Sequence, residues 1–319
     1  MNKSNLIKNI GSFLACIAVI FIGYKLYHME IDYKTIFQGD NVAKLLLLSL
    51  LYGLSILVLC IPWKCLVTIL TGQKIEFHEA AFIWNKANIM KYIPGNIFQY
   101  VARNEIAEIK GISHITVAFA TMLDVVINLA GVLLIAAIFY WQGIWKGIEF
   151  IRQYGEYRIV ILLLVLAVIV IYIFRKKIVE ILNRIRKLTI KQIYKCILSG
   201  AFYSIWAICA SIIFLLILIW ILDADLGSQN LLVIAGAFLL SWIIGFILPG
   251  VPGGIGVREA AIAMLLYSNG AVREEVILSG IVTYRIVNII GDLWGVVFAY
   301  IIKGLRNKVL RNCKDEKIG

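Results

Sequence analysis

Apolar residues along this chain gather into long runs, and the polar stretches between those runs alternate in charge. Runs at about residues 10–26, 45–62, 115–140, 158–174, 196–222 and 277–302 approach the roughly 20 residues of helix that cross about 30 Å of hydrocarbon. They predict an all-α polytopic membrane protein of about six full spans. Lys3 and Lys8 precede the first run, which lacks a small-residue cleavage site and is read as a retained span with its amino end in the cytoplasm. Glu30, Asp32 and Asp40 then fall outside, and Trp63 and Lys64 are expected at the inner interface. Tyr140, Trp141, Glu149 and Glu156 are expected at or beyond the outer face, as are Asp223 and Asp225. The last run ends in Lys303, Arg306, Lys308, Arg311 and Lys314, which places both termini in the cytoplasm.

Two further apolar segments are broken by proline and glycine. One, at about residues 78–110, contains Lys91-Tyr-Ile-Pro-Gly-Asn96; the other, at about residues 231–266, contains Leu248-Pro-Gly-Val-Pro-Gly-Gly-Ile-Gly-Val-Arg-Glu259. Proline removes a helical N–H, and opened backbone at membrane depth persists only where it is buried in protein or lines a wet cavity. Each half-segment is too short to cross, so both are read as re-entrant helical hairpins, the first entered from the cytoplasm and the second from outside.

The order span, hairpin, span therefore occurs twice with opposite entry faces, at about residues 42–140 and 196–303, which is an inverted repeat. Residues 141–195 join the halves and include a basic cytoplasmic linker at 175–195. Within it, Ile178, Ile181, Leu182 and Ile185 form an apolar stripe between cations, as in a helix lying on an anionic leaflet, either as a plain connector or for lipid capture. Asn128-Leu-Ala-Gly131 in one half echoes Asn288-Ile-Ile-Gly291 in the other, with Asp124 and Arg285 about one turn upstream. Charges in a bilayer must pair or face water, so Asp124 and Arg285 are expected to meet or to line one cavity. Asp292 is a candidate partner for a hairpin arginine. A purely structural ion pair is the plainer alternative.

The glycine turn ahead of Val257 frees backbone amides at a helix N-terminus, where a phosphate would be favoured, and Arg258 can add a charge-assisted bond. Glu259 is expected to neutralise Arg258 when no ligand is present, or to take part in proton coupling. Asn96 is a candidate helix cap, with Arg103 and Glu105 further along its helix. The turn is no P-loop, since it lacks the Gly-Lys-Ser/Thr ending, and glycines that merely allow close helix packing are the plain reading.

Composition narrows the choice of function. Hydrophobic residues are 61% of the 319 and charged residues only 16%, well below the quarter or so typical of soluble domains, so function must lie in the membrane body. The net charge of +12 sits at span ends and not in an aromatic-laced patch, which argues against nucleic acid. The six cysteines and three histidines are dispersed without metal-ligand spacing, so neither metal nor cofactor is expected.

Lys91-Tyr-Ile-Pro-Gly95 with Arg103, and Pro249-Gly-Val-Pro-Gly-Gly-Ile-Gly-Val-Arg-Glu259 with Arg285, resemble signatures of the lysylphosphatidylglycerol synthase transmembrane region family, also called flippase-like integral membrane proteins. The resemblance covers nearly the whole chain. It implies a lipid translocase, as in the bacterial multiple peptide resistance factor, where this region flips aminoacylated phosphatidylglycerol; archaeal relatives are linked to polyprenyl-phosphate sugar carriers. It also implies a headgroup site made of Pro94, Gly95, Arg103, Pro252, Gly253, Gly254, Arg258, Glu259 and Arg285, to which the residues themselves add Asn96 and a charge network of Asp124, Asn128, Asn288 and Asp292. Family synthases add a soluble aminoacyl-transfer domain, so with the chain ending at Gly319 lysyl transfer is not expected. The expected partner is an anionic phospholipid or a polyprenyl-phosphate glycolipid, with a lipid synthase or glycosyltransferase as a possible protein partner. Two rivals remain: an intramembrane polyprenyl-phosphate enzyme with Glu259 or Glu105 as base, and an accessory subunit of a membrane glycosyltransferase. No catalytic residue is assigned, since neither hairpin turn carries serine, threonine or histidine, and Ser241 and His78 lie away from the turns.

Overall fold

A computed structural model of the chain describes residues 36–72, 74–92, 98–108, 111–145, 149, 175, 189–226, 231–247 and 256–267, and the helix from 274 to 315. The runs at 10–26 and 158–174, nearly all of the linker at 175–188, and both proline-glycine turns lie outside these residues. Among the described residues the regular structure is entirely helical. The helices are α1 (Asn41–Val58), α2 (Cys60–Thr71), α3 (Phe77–Asn88), α4 (Phe98–Glu108), α5 (His114–Phe139), α6 (Ile190–Leu216), α7 (Leu231–Ile247), α8 (Val257–Tyr267) and α9 (Glu274–Asp315). Among the described residues four stretches are long and apolar enough to cross a membrane: Asn41–Leu70, His114–Phe139, Ile190–Ile221 and Glu275–Arg306.

The α1 sequence shows why its stretch suits lipid. Leu45, Leu48, Ser49, Tyr52, Gly53 and Ile56 are buried at helical spacing, whereas Leu46, Leu47, Leu51 and Leu54 are apolar on the exposed face. A helix that is hydrophobic all round has no face suited to water. Pro62 explains the break at Leu59, because its ring crowds the carbonyl four residues earlier, Val58, where α1 ends. The helix then resumes to Thr71, so Trp63 does not mark an interface: it is fully buried. Tyr140, at the end of α5, is buried too and donates to the Leu265 carbonyl at 2.6 Å, while its neighbour Trp141 is exposed.

Helix α6 begins earlier than the apolar run suggests, at a capping box in which Thr189 and Gln192 satisfy each other's end of the helix. It ends in a π-helical turn, Ile217–Ile221, whose loosened carbonyls are taken by α1: Lys44 Nζ donates to Trp220 O at 2.8 Å and Asn41 Nδ2 to Ile221 O at 3.2 Å.

The packing occurs in matched sets. α9 lies on α1 as α6 lies on α5; α3 lies on α9 as α7 lies on α5; α4 follows onto α5 as α8 follows onto α9. The match extends to single residues. A Cβ on Gly131 would meet Gly200 O at 3.0 Å, Tyr203 Cβ at 3.1 Å and Ser204 N at 3.3 Å, and one on Gly291 would meet Ser49 O at 2.8 Å, Tyr52 Cδ1 at 2.5 Å and Gly53 N at 3.2 Å. Both glycines therefore seat on a helix at the same three steps, with a tyrosine in the middle. Close backbone approach through small residues is how helices associate where lipid supplies no hydrophobic drive.

Gly53 tests this contact, because its Cβ would lie 2.6 Å from Trp294 Cβ and 2.8 Å from Gly291 O. Gly53→Ala is expected to force α1 and α9 apart at a cost of about 1–3 kcal/mol. Gly200→Ala, whose nearest neighbour is a side-chain methyl at 3.7 Å, is expected to stay within about 0.5 kcal/mol of the parent. Thermal unfolding in detergent separates the two, and equal midpoints would refute the contact.

Candidate functional site

Among the described residues two groups of charged side chains lie inside the helical body. The first joins α4 to α5. Arg103 Nη1 donates to Asp124 Oδ2 at 3.1 Å, Tyr203 of α6 donates to the other carboxylate oxygen, and Arg103 and Asp124 are 3% and 4% exposed. The rings of Trp84, Trp63 and Tyr100 stand 5.1, 5.8 and 5.9 Å from the guanidinium. Arginine tolerates such enclosure because its weakly hydrated planar cation stacks on aromatic faces. This group is neutral and closed.

The second group lies among α3, α8 and α9. At the end of α3 the chain tightens into a 3₁₀ turn, Ile89–Tyr92. From there Lys91 Nζ reaches Asp292 Oδ2 at 2.7 Å, Asn88 Nδ2 donates to Oδ1 at 2.8 Å, and Tyr92 donates its hydroxyl to Oδ2. On α8, Glu259 bonds in two directions: Oε1 lies 2.8 Å from Arg285 Nη2 of α9, and Oε2 accepts the backbone N–H of Gly256 at 2.8 Å. The second bond is half of a capping box, with Gly256 in the left-handed region at φ +83°.

Arg258 differs from its neighbours. Among the described residues no carboxylate lies within ion-pair distance of it, and its Nε is buried without a hydrogen-bond partner. Its side chain lies flat on α7, where a Cβ on Gly245 would fall 2.5 Å from Arg258 Cγ, and the guanidinium sits 5.9 Å from the Trp242 ring. The phenols of Tyr284, Tyr52 and Tyr92 and, beyond ion-pair distance, the Glu259 carboxylate are within electrostatic range of it. Lys91, Arg258 and Arg285 thus share their surroundings with only two carboxylates, Asp292 and Glu259, which leaves one positive charge uncompensated among the described side chains.

This arrangement corrects three expectations. Asp124 and Arg285 do not meet, because each finds a nearer partner on the short helix beside its own span, Arg103 and Glu259. Glu259 pairs with Arg285 and not with the adjacent Arg258, since neighbouring residues on a helix point about 100° apart. Asp292 takes a lysine from the first broken segment in place of an arginine. At least one amide at the α8 N-terminus, that of Gly256, is already taken by Glu259. Asn128 and Asn288 each hold a buried Oδ1 with no partner among the described residues. Pro94, Gly95, Asn96, Pro252, Gly253 and Gly254 lie outside those residues.

The sequence reading passed over Asn88, Tyr92, Tyr52, Tyr203 and Tyr284. Asn85, Asn88 and Tyr92 recur at helical spacing in an otherwise apolar stretch, and that polar stripe was the available signal. Among the described residues no three His, Cys, Asp or Glu side chains gather as a metal site would require. No family model, characterised protein or solved structure matches this chain.

Proposed function

We propose that the protein is a translocase for an anionic lipid headgroup, a phospholipid or a polyprenyl-phosphate-linked sugar, held between two re-entrant helix pairs, α3–α4 and α7–α8. The observation that carries this reading is the surplus of cations at the Lys91, Arg258 and Arg285 group, contributed from both broken segments within a bundle of membrane-length helices. An unbalanced positive charge at such depth costs several kcal/mol unless an anion completes it. A lipid phosphate would do so while its acyl or prenyl tails stay outside.

The matched packing of α1 to α5 and of α6 to α9 supports an inverted repeat, and hence a cycle in which two halves expose one site alternately. The polarity of the two ion pairs supports it as well. Each ties a short helix to the span that follows, with arginine on the short helix in the first half and glutamate there in the second. In this reading the chain is a multi-pass protein of the cell membrane, with six spans and both termini cytoplasmic. The enzyme reading gains little, because the Ser241 hydroxyl bonds to the Phe238 carbonyl of its own helix and Glu259 is held by Arg285.

Reconstitution in liposomes with headgroup-labelled reporter lipids tests the proposal. Transfer of at least one anionic reporter between leaflets is expected, faster than in protein-free vesicles. Folded protein that moves no anionic lipid would sink it.

A further inference from the structure

We propose that Glu259 sets the charge of the ligand, so that the site takes a monoanionic phosphodiester headgroup and rejects a phosphomonoester dianion; this rests on the anionic-headgroup reading above. Three observations carry it. Lys91 is spent on Asp292 at 2.7 Å. Arg285 is spent on Glu259 at 2.8 Å, and the same carboxylate holds the Gly256 amide, so it occupies positions a second phosphate charge would need. Arg258 alone has no carboxylate within ion-pair distance among the described residues, and its Nε is buried without a hydrogen-bond partner. The group therefore lacks one negative charge and not two.

In a medium of low dielectric this difference is decisive. Each further uncompensated charge is strongly penalised, because removing ions from water is repaid only by close, well-satisfied partners. A phosphodiester carries one charge and completes Arg258. A phosphomonoester, with its second ionisation near pH 6 in the phosphorylated side chains that are its nearest analogue, brings an excess charge that confronts Glu259 and Asp292. The phenols of Tyr52 and Tyr284 place hydroxyls near Arg258 to meet neutral parts of a headgroup, while that of Tyr92 is held by Asp292.

Glu259→Gln is the informative variant. It keeps shape and can still accept from the Gly256 amide, while removing the negative charge that faces Arg285, so among the described side chains the site would then lack two charges. Native mass spectrometry of the detergent-purified full chain at pH 8, titrated with phosphatidylglycerol and with phosphatidic acid, reads the preference. The parent is expected to favour phosphatidylglycerol by at least about tenfold, Glu259→Gln to narrow or reverse that ratio by about tenfold, and Glu259→Asp to keep it. Equal binding of both lipids by the parent, or a ratio unmoved in folded Glu259→Gln, overturns the charge assignment while leaving anionic lipid binding in place. Binding of neither lipid, nor of a polyprenyl-phosphate sugar titrated in parallel, overturns this inference and the translocase reading together. Should Glu259→Gln fail to fold, the parent ratio and Gly245→Ala decide. That alanine displaces Arg258 from its seat and is expected to weaken phosphatidylglycerol by about tenfold; unchanged binding counts against the proposal.

Discussion

Asp124→Ala is expected to lower stability by about 3–5 kcal/mol, and the double variant Arg103→Met with Asp124→Leu to recover most of that loss. The single change leaves the Arg103 guanidinium at 3% exposure without its counter-ion, enclosed by Trp63, Trp84 and Tyr100. It also strands the Tyr203 hydroxyl. The penalty comes from the charge left behind, not from the worth of the pair, so removing both charges while keeping volume avoids it. Methionine retains much of the arginine stem and makes favourable sulfur contacts with the same rings. Thermal unfolding followed by tryptophan fluorescence would report the change from within the group. An Asp124→Ala midpoint equal to the parent's would mean that the pair is not closed as described.

The opposite balance is expected at Arg258. Arg258→Ala should reduce transfer of an anionic reporter lipid by about tenfold to hundredfold, the worth of one charge-assisted contact, and leave the unfolding midpoint unchanged or raised. No described carboxylate is deprived of a partner by the change, and a poorly balanced cation is removed from the interior. Arg285→Ala is the contrast, because it strands Glu259 and should lose both stability and transfer. Parallel liposome assays and unfolding curves separate the cases. Full transfer by folded Arg258→Ala would remove this residue from the site.

Much of the helix layout was legible because it follows from hydrophobic length alone. The span expected at 115–140 is α5, His114–Phe139. Helix ends were less so: α9 was expected over 277–302 and extends from Glu274 to Asp315, since lysine and arginine favour helix once past the apolar layer. That Asp124 and Arg285 would be placed inside the bundle followed from the cost of charge in lipid; which partner each would choose did not. Partner choice depends on which helices touch and on rotation about their axes, and a few residues' difference in phase sends Glu259 to Arg285 while Arg258 turns to Trp242. The tyrosines were missed because in an apolar run a phenol counts as one more hydrophobic residue. Only the assembled fold aims Tyr203 at Asp124 and Tyr92 at Asp292.

The seating of α3 has a mechanical consequence. By sequence α3 belongs with α1, α2, α4 and α5, yet it is riveted to α9 along its length: Glu76 faces Arg306 at 3.7 Å, Phe82 meets Tyr300 and Lys303, and Asn88, Lys91 and Tyr92 hold Asp292. The reciprocal exchange seats α7 on α5, where Gly236 presses against the Phe139–Tyr140 backbone. The packing units of this bundle are therefore not the two successive stretches of chain, 42–140 and 196–303. Each unit borrows a helix from the other stretch, like two hands with one finger exchanged, so neither stretch expressed alone can complete its own packing.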